Sequence, residues 1–144
     1  METYNKIKAF IVDDEQIYLT LIKSRLQNTG IKNITCFLSG EECIEKLNEK
    51  PDIVILDVHL IKLNGLDVLK QIKIQSPLSI VIMFSSATEK SLIHNSLELG
   101  AYDYIEKNVF SFGKLERTLQ PIVEKLVLKQ KQPSFMEVLV SFFF

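Results

Sequence analysis

The chain has 144 residues, of which 47% are hydrophobic and 24% charged, and its formal net charge is −1. A length of this order suits one domain that buries roughly 68 to 70% of its unfolded surface without metal or disulfide staples, and the near-neutral balance excludes the basic footprint of a nucleic-acid binder and the composition of a disordered segment. The polar start over 1–8 does not read as a signal peptide, and no apolar run approaches the roughly 20 residues of a membrane span, so the expectation is a soluble protein with no membrane partner.

Short apolar runs then alternate with longer amphipathic ones, the pattern of repeated strand-helix units. A strand over 7–12 runs into Asp13-Asp14; a helix over 15–28, with Tyr18, Leu21, Ile22 and Leu26 on its apolar arc and Ile17 outside it, stops at Gly30. A strand over 33–38 and a helix over 40–49 follow, ended by Pro51. The strand over 52–57 closes on Asp57, and its helix over 65–75 stops at Ser76-Pro77. A strand over 79–84 leads to Ser85, a helix over 88–99 ends at Gly100, and a last strand over 102–106 leads to Lys107 and a helix over 111–130. Cys36 and Cys43, with no Cys-x-x-Cys and no zinc spacing, read as two reduced core thiols, which favours the cytoplasm.

Five such units predict an α/β fold, a doubly wound parallel sheet with helices on both faces. In such sheets the site lies beyond the carboxyl ends of the strands, where Asp13, Asp57, Ser85 and Lys107 all fall. Two places break the pattern. Pro121 lies inside the last helix and should kink or split it, at about 3 kcal/mol if nothing compensates. After the polar hinge that ends in Gln132 and Pro133, eight of the last ten residues (Phe135, Met136, Val138, Leu139, Val140, Phe142, Phe143 and Phe144) are apolar, so 131–144 is expected to dock on its own domain or on a second subunit.

An acidic pair and a third carboxylate at neighbouring strand ends repel one another. Two charges about 5 Å apart at an effective dielectric near 20 cost roughly 3 kcal/mol, so either a pKa rises or a cation binds. Oxygen-only ligands point to Mg²⁺, which is held by one or two carboxylates plus phosphate oxygens. With Lys107 as a point charge and Ser85 as a hydroxyl donor, the set suits phosphoryl transfer, with Asp57 as nucleophile.

From about residue 7 to residue 128 the chain resembles a response-regulator receiver domain of two-component phosphorelays, with five motif positions agreeing in kind and order. The resemblance implies the flavodoxin-like (βα)5 strand order 2-1-3-4-5 and a receiver over 1–130. It also implies that Asp13 and Asp14 hold Mg²⁺ together with Asp57 and the backbone carbonyl of His59, that Asp57 is the phosphoacceptor, and that Ser85 and Lys107 contact the phosphoryl group. Ser85 and Tyr104 would form the switch, with Ser85 moving inward to free space for Tyr104. His59 and Ala87 occupy positions that influence phosphoryl lifetime. The implied partners are a sensor histidine kinase or histidine phosphotransfer protein and a downstream protein target, met on the face of 88–99, 102–106 and 111–130, where receivers also form homodimers. The chain would be a signalling phosphoacceptor rather than an enzyme acting on an external substrate.

Two departures stand out. The family's Met-Pro-x-Met-Asp-Gly is here Leu60-Ile61-Lys62-Leu63-Asn64-Gly65, and loss of the proline should loosen the loop after Asp57. The family's Lys-Pro is here Lys107-Asn108, where a cis bond would cost about 2.5 to 4 kcal/mol; a trans bond is expected, with some displacement of Lys107 or the following loop.

Simpler roles compete for several residues. Asp14 could cap the first helix, Ser85 or Ser86 the fourth, Tyr104 could merely pack, and His59 and His94 could be plain surface histidines. The exposed Ile17 could be a docking contact for a kinase or phosphotransfer helix. Two other functions compete with the phosphoacceptor: a phosphorylation-independent interaction module, and an aspartyl-phosphate hydrolase, which usually carries Asp-x-Asp where this chain has His59 two after Asp57.

Overall fold

In the computed structural model, which describes residues 6–131 and 134–143, all five apolar runs are strands: β1 (Lys8–Val12), β2 (Asn33–Phe37), β3 (Ile53–Leu56), β4 (Ile80–Ser85) and β5 (Asp103–Glu106). They form one parallel sheet in the order β2-β1-β3-β4-β5, the flavodoxin-like arrangement. Between them lie α1 (Gln16–Asn28), α2 (Gly40–Glu45), α3 (Gly65–Gln75) and α4 (Lys90–Glu98), and after β5 come α5 (Ser111–Lys131) and α6 (Phe135–Phe143). The stretch read as a helix over 40–49 is α2 followed by a separate 3-10 turn, Leu47–Glu49.

Strand periodicity divides the core in two. Ala9, Ile11, Ile53, Ile55, Ile82 and Phe84 face α1 and α5, while Phe10, Val12, Val54, Leu56, Val81 and Met83 face α2 and α3. Because β1 and β3 are covered on both sides, their buried runs 9–12 and 53–56 are apolar at every position, and charged residues flank them at the strand ends. Gly30 and Gly100 take φ values of 101° and 104° after α1 and α4, a conformation that suits glycine at a helix end.

Three expectations are corrected. On α1 the buried face is Leu19, Ile22 and Leu26, whereas Leu21 is exposed along with Ile17; the arc is rotated because the helix packs on both the sheet and α5. Cys43 is buried but Cys36 is exposed, since β2 is an edge strand with one face in water. Pro121 does not split the last helix: α5 runs through it as one element. One lost backbone bond is outweighed by the burial of Leu119, Ile122 and Val123 on either side. On α6, none of the described side chains is buried. Gln132 and Pro133 of the expected hinge, and Phe144, lie outside the described residues.

Candidate functional site

Two neighbouring strands end at the same level. The Asp13 N–H donates to the Phe37 carbonyl of β2 at 3.1 Å, and the Asp57 N–H donates to the Val12 carbonyl of β1 at 3.0 Å, so the ladder carries one residue past each strand and delivers two carboxylates side by side. Asp14 joins them: one carboxylate oxygen from each of Asp13, Asp14 and Asp57 lies within 4.8 Å of the others. Asp13 is fully buried and Asp57 only 6% exposed.

β5 brings the cation. The Lys107 N–H is bonded to the Ser85 carbonyl at 2.9 Å, fixing the backbone of both residues at the sheet edge. Its ammonium donates to Asp13 Oδ2 at 2.6 Å and to Asp57 Oδ2 at 3.1 Å, with its side chain 5% exposed. Burial alone would lower the Lys107 pKa, but the two carboxylates outweigh it and hold the amine above its ordinary value. Burial likewise pushes the Asp13 carboxyl upward, more than Lys107 and the Glu15 N–H pull it down. Both members of one ion pair thus move upward, because Asp13 has lost more solvent than a single amine returns.

The helix-capping roles expected for the site residues are not seen in the hydrogen bonds. Asp14 does not cap α1, whose N-cap position is Glu15 with no side-chain bond; instead Asp13 Oδ1 accepts the Glu15 N–H at 3.0 Å. Ser85 does not cap α4, which starts after Glu89 without a side-chain cap; its hydroxyl accepts the Ala87 N–H at 3.3 Å. Tyr104 is buried, and its hydroxyl donates to the Ala87 carbonyl at 2.5 Å, so the ring already occupies an inner position. The exposed His59 turns its backbone N–H to Asp57 Oδ1 at 3.3 Å.

Both departures from the family motif are accommodated. The Lys107–Asn108 bond is trans, and Lys107 keeps its place among the acids. Asn108 builds the turn that follows, accepting the Phe110 N–H on its side chain at 2.9 Å and receiving the Ser111 hydroxyl on its carbonyl at 2.8 Å. The loop after Asp57 is tied at three points: Leu60 and Gly65 donate to the Val58 carbonyl, and Leu63 donates to Glu41 Oε1 at 3.0 Å.

One neighbour of the site escaped the sequence reading. The Lys107 ammonium lies 4.0 Å from the centroid of the Tyr18 ring, a cation–π contact on its solvent-averse side. The sequence places Tyr18 only on the apolar arc of α1, and no spacing signal in it points the ring at the pocket.

An all-oxygen set of three acids could hold a hard divalent cation, and no helix among the described residues is long and apolar enough to cross a membrane. The family model described as the response regulator receiver domain matches residues 9–120. The chain is 40% identical over 101 residues to the alkaline phosphatase synthesis transcriptional regulatory protein PhoP of Bacillus subtilis, covering 69% of this chain and 42% of that protein. It is 33% identical over 102 residues to the chemotaxis protein CheY of Listeria monocytogenes, covering 70% of this chain and 86% of that one. The chain therefore spans less than half of the first relative and most of the second. Among solved structures it is similar to the CheX-CheY-BeF3-Mg+2 complex from Borrelia burgdorferi, with a TM-score of 0.75 at 26% identity over 84% of this chain and 92% of that one. With its acidic pocket of Asp13, Asp14 and Asp57 facing Lys107, the chain belongs to the response regulator receiver domain family, whose members are signalling phosphoacceptors.

Proposed function

We propose that the chain is a single-domain response regulator, acting in the cytoplasm, that accepts a phosphoryl group on Asp57 from the phosphohistidine of a sensor histidine kinase or a histidine phosphotransfer protein. The observation that carries this reading is the contact of one carboxylate, Asp57, with both an acidic pair within 4.8 Å and a buried ammonium at 3.1 Å. In the transfer, a carboxylate oxygen of Asp57 bonds to phosphorus as the P–N bond to imidazole breaks, and the leaving nitrogen takes up a proton. Asp13, Asp14, Asp57 and the His59 carbonyl are the residues that would hold Mg²⁺, which when bound neutralises carboxylate and phosphoryl oxygens. Lys107 supplies the remaining positive charge, and Ser85 offers its hydroxyl to the same group.

Phosphorylation raises the charge at Asp57 from one negative unit to nearly two and adds acceptor oxygens, a change large enough to redistribute Lys107 and Ser85. Because the Ser85 hydroxyl and the Tyr104 hydroxyl meet at Ala87, a shift of one is felt by the other, and the face around Tyr104 is where a downstream protein would sense it.

The test is intact-mass analysis after incubation with a small-molecule phosphodonor and Mg²⁺. Wild type should gain the mass of one phosphoryl group, localised to Asp57, and Asp57→Asn should gain none. No gain in wild type, under conditions that label other receivers, would replace this reading with that of a phosphorylation-independent interaction module.

A further inference from the structure

Among the described residues, two apolar surfaces of this protomer are left uncovered. The first is α6: Phe135, Phe142 and Phe143 are 76%, 79% and 76% exposed. Its polar residues Ser134, Glu137 and Ser141 fall at i, i+3 and i+7, one narrow stripe, and at about 100° per residue the apolar positions sweep an arc of roughly 200°. The second is a groove of about 470 Å³ formed by Tyr102, Pro121, Ile122 and Leu126, with Lys125 and Lys129 beside them.

We propose that these surfaces cover each other between two copies of the chain, α6 of each protomer lying in the groove of the other. Length agrees: α6 has nine residues, and the part of α5 lining the groove, 121–129, also has nine, so both span about 13.5 Å at the helical rise. Charge agrees: Lys125 and Lys129 flank the groove, whereas α6 carries Glu137 and no basic residue. The absence of Lys and Arg from α6 also disfavours an anionic bilayer as the surface that covers it.

The second copy is favoured over the helix's own groove because none of the described side chains of α6 is buried within the protomer, so its own groove does not cover it. A nine-residue helix is marginal alone in water. The reciprocal bonds by which Ser134 and Glu137 close its first turn, 2.6 Å and 3.2 Å, define where it starts but do not cover its apolar arc. This inference is independent of the phosphoryl-transfer reading.

The test is complementation, read by light scattering and native mass spectrometry at micromolar concentration. Wild type should show twice the 16.6 kDa of the chain. Phe142→Ser/Phe143→Ser, which spoils the helix, and Lys125→Glu/Lys129→Glu, which turns the groove against Glu137, should each weaken dimerisation at least roughly tenfold. All four side chains are exposed, so circular dichroism should be unchanged. Mixed together, the two variants should form a heterodimer, because one retains its groove and the other its helix. A monomeric wild type, a groove variant that dimerises as wild type does, or a mixture without heterodimer would each overturn the proposal.

Discussion

The ammonium of Lys107 stands closer to Asp13 than to Asp57, 2.6 Å against 3.1 Å, so one buried cation serves two carboxylates unequally. Replacing it by methionine leaves both acids facing each other. Breaking a buried pair in this way costs about 3 to 5 kcal/mol, part of which is recovered when the acids take up protons. Lys107→Met should therefore melt well below wild type, and Mg²⁺ should raise its Tm by more than it raises that of wild type, since the ion supplies the missing charge. Thermal denaturation with and without Mg²⁺ checks both; equal shifts would mean that the acids do not share a cation.

The same pair sets a pH dependence. Because the folded pKa of Lys107 lies above 10.5, the unfolded chain loses its proton first, and the stabilisation is complete below 10.5 and lost as pH rises through the folded value. The raised Asp13 works in the other window: the fold binds the proton more tightly than the unfolded chain, so this group's contribution becomes more favourable as pH falls toward 3.8. Denaturant midpoints of wild type and Lys107→Met should accordingly converge at strongly alkaline pH. A gap that stays constant there would show that Lys107 acts through packing alone.

Gly65 is required by proximity rather than by backbone conformation. A Cβ there would stand 2.1 Å from the Asp57 carbonyl oxygen and 2.6 Å from the Val58 Cα, both backbone atoms that cannot rotate away. Gly65→Ala should gain about 1 kcal/mol of helix propensity and lose more to overpacking, for a net destabilisation on the order of 2 kcal/mol. It should also slow phosphorylation by moving the Asp57 backbone. An alanine variant as stable as wild type in urea would refute the close approach.

The Tyr104 hydroxyl donates to the Ala87 carbonyl at 2.5 Å. Tyr104→Phe keeps the ring and leaves that buried carbonyl without this donor, which should cost about 1 kcal/mol in the urea midpoint. The extent of Asp57 labelling should stay close to wild type, because the hydrogen bond this variant removes runs to the Ala87 carbonyl rather than to the acids. Loss of labelling in this variant would assign Tyr104 to the transfer itself.

Cys43 is buried, and desolvation pushes its thiol up to about 12, whereas Cys36 faces solvent on the edge strand. Iodoacetamide near pH 8 should modify the native protein once, at Cys36, and twice only after unfolding. Rapid modification of Cys43 in the native state would mean that the α2 side of the sheet opens far more readily than its packing suggests.

The alternation of strands and helices was legible because its cause is local. A strand covered on both faces must be apolar throughout, so its end is marked by the first charge, and Asp13, Asp57 and Lys107 stood out for that reason. Glycine and proline marked the helix ends through their own backbone limits. Where the partner rather than the residue decides, the reading failed: Cys36 and Leu21 are apolar in type but face water, because β2 is an edge strand and α1 is rotated by its packing on α5.

By itself, then, the sequence determined the class of fold, the chemistry of the site and the kind of residue at each strand end, since these follow from periodicity and side-chain type. Only the tertiary structure decided how the charges are shared. It brought Lys107 to Asp13 across 94 positions of chain, placed the Tyr18 ring beneath the ammonium, and drew Tyr104 inward onto the Ala87 carbonyl. Such distances are set by how β1, β3, β4 and β5 stagger in one sheet, a property of pairing between strands that no single strand carries in its own residues.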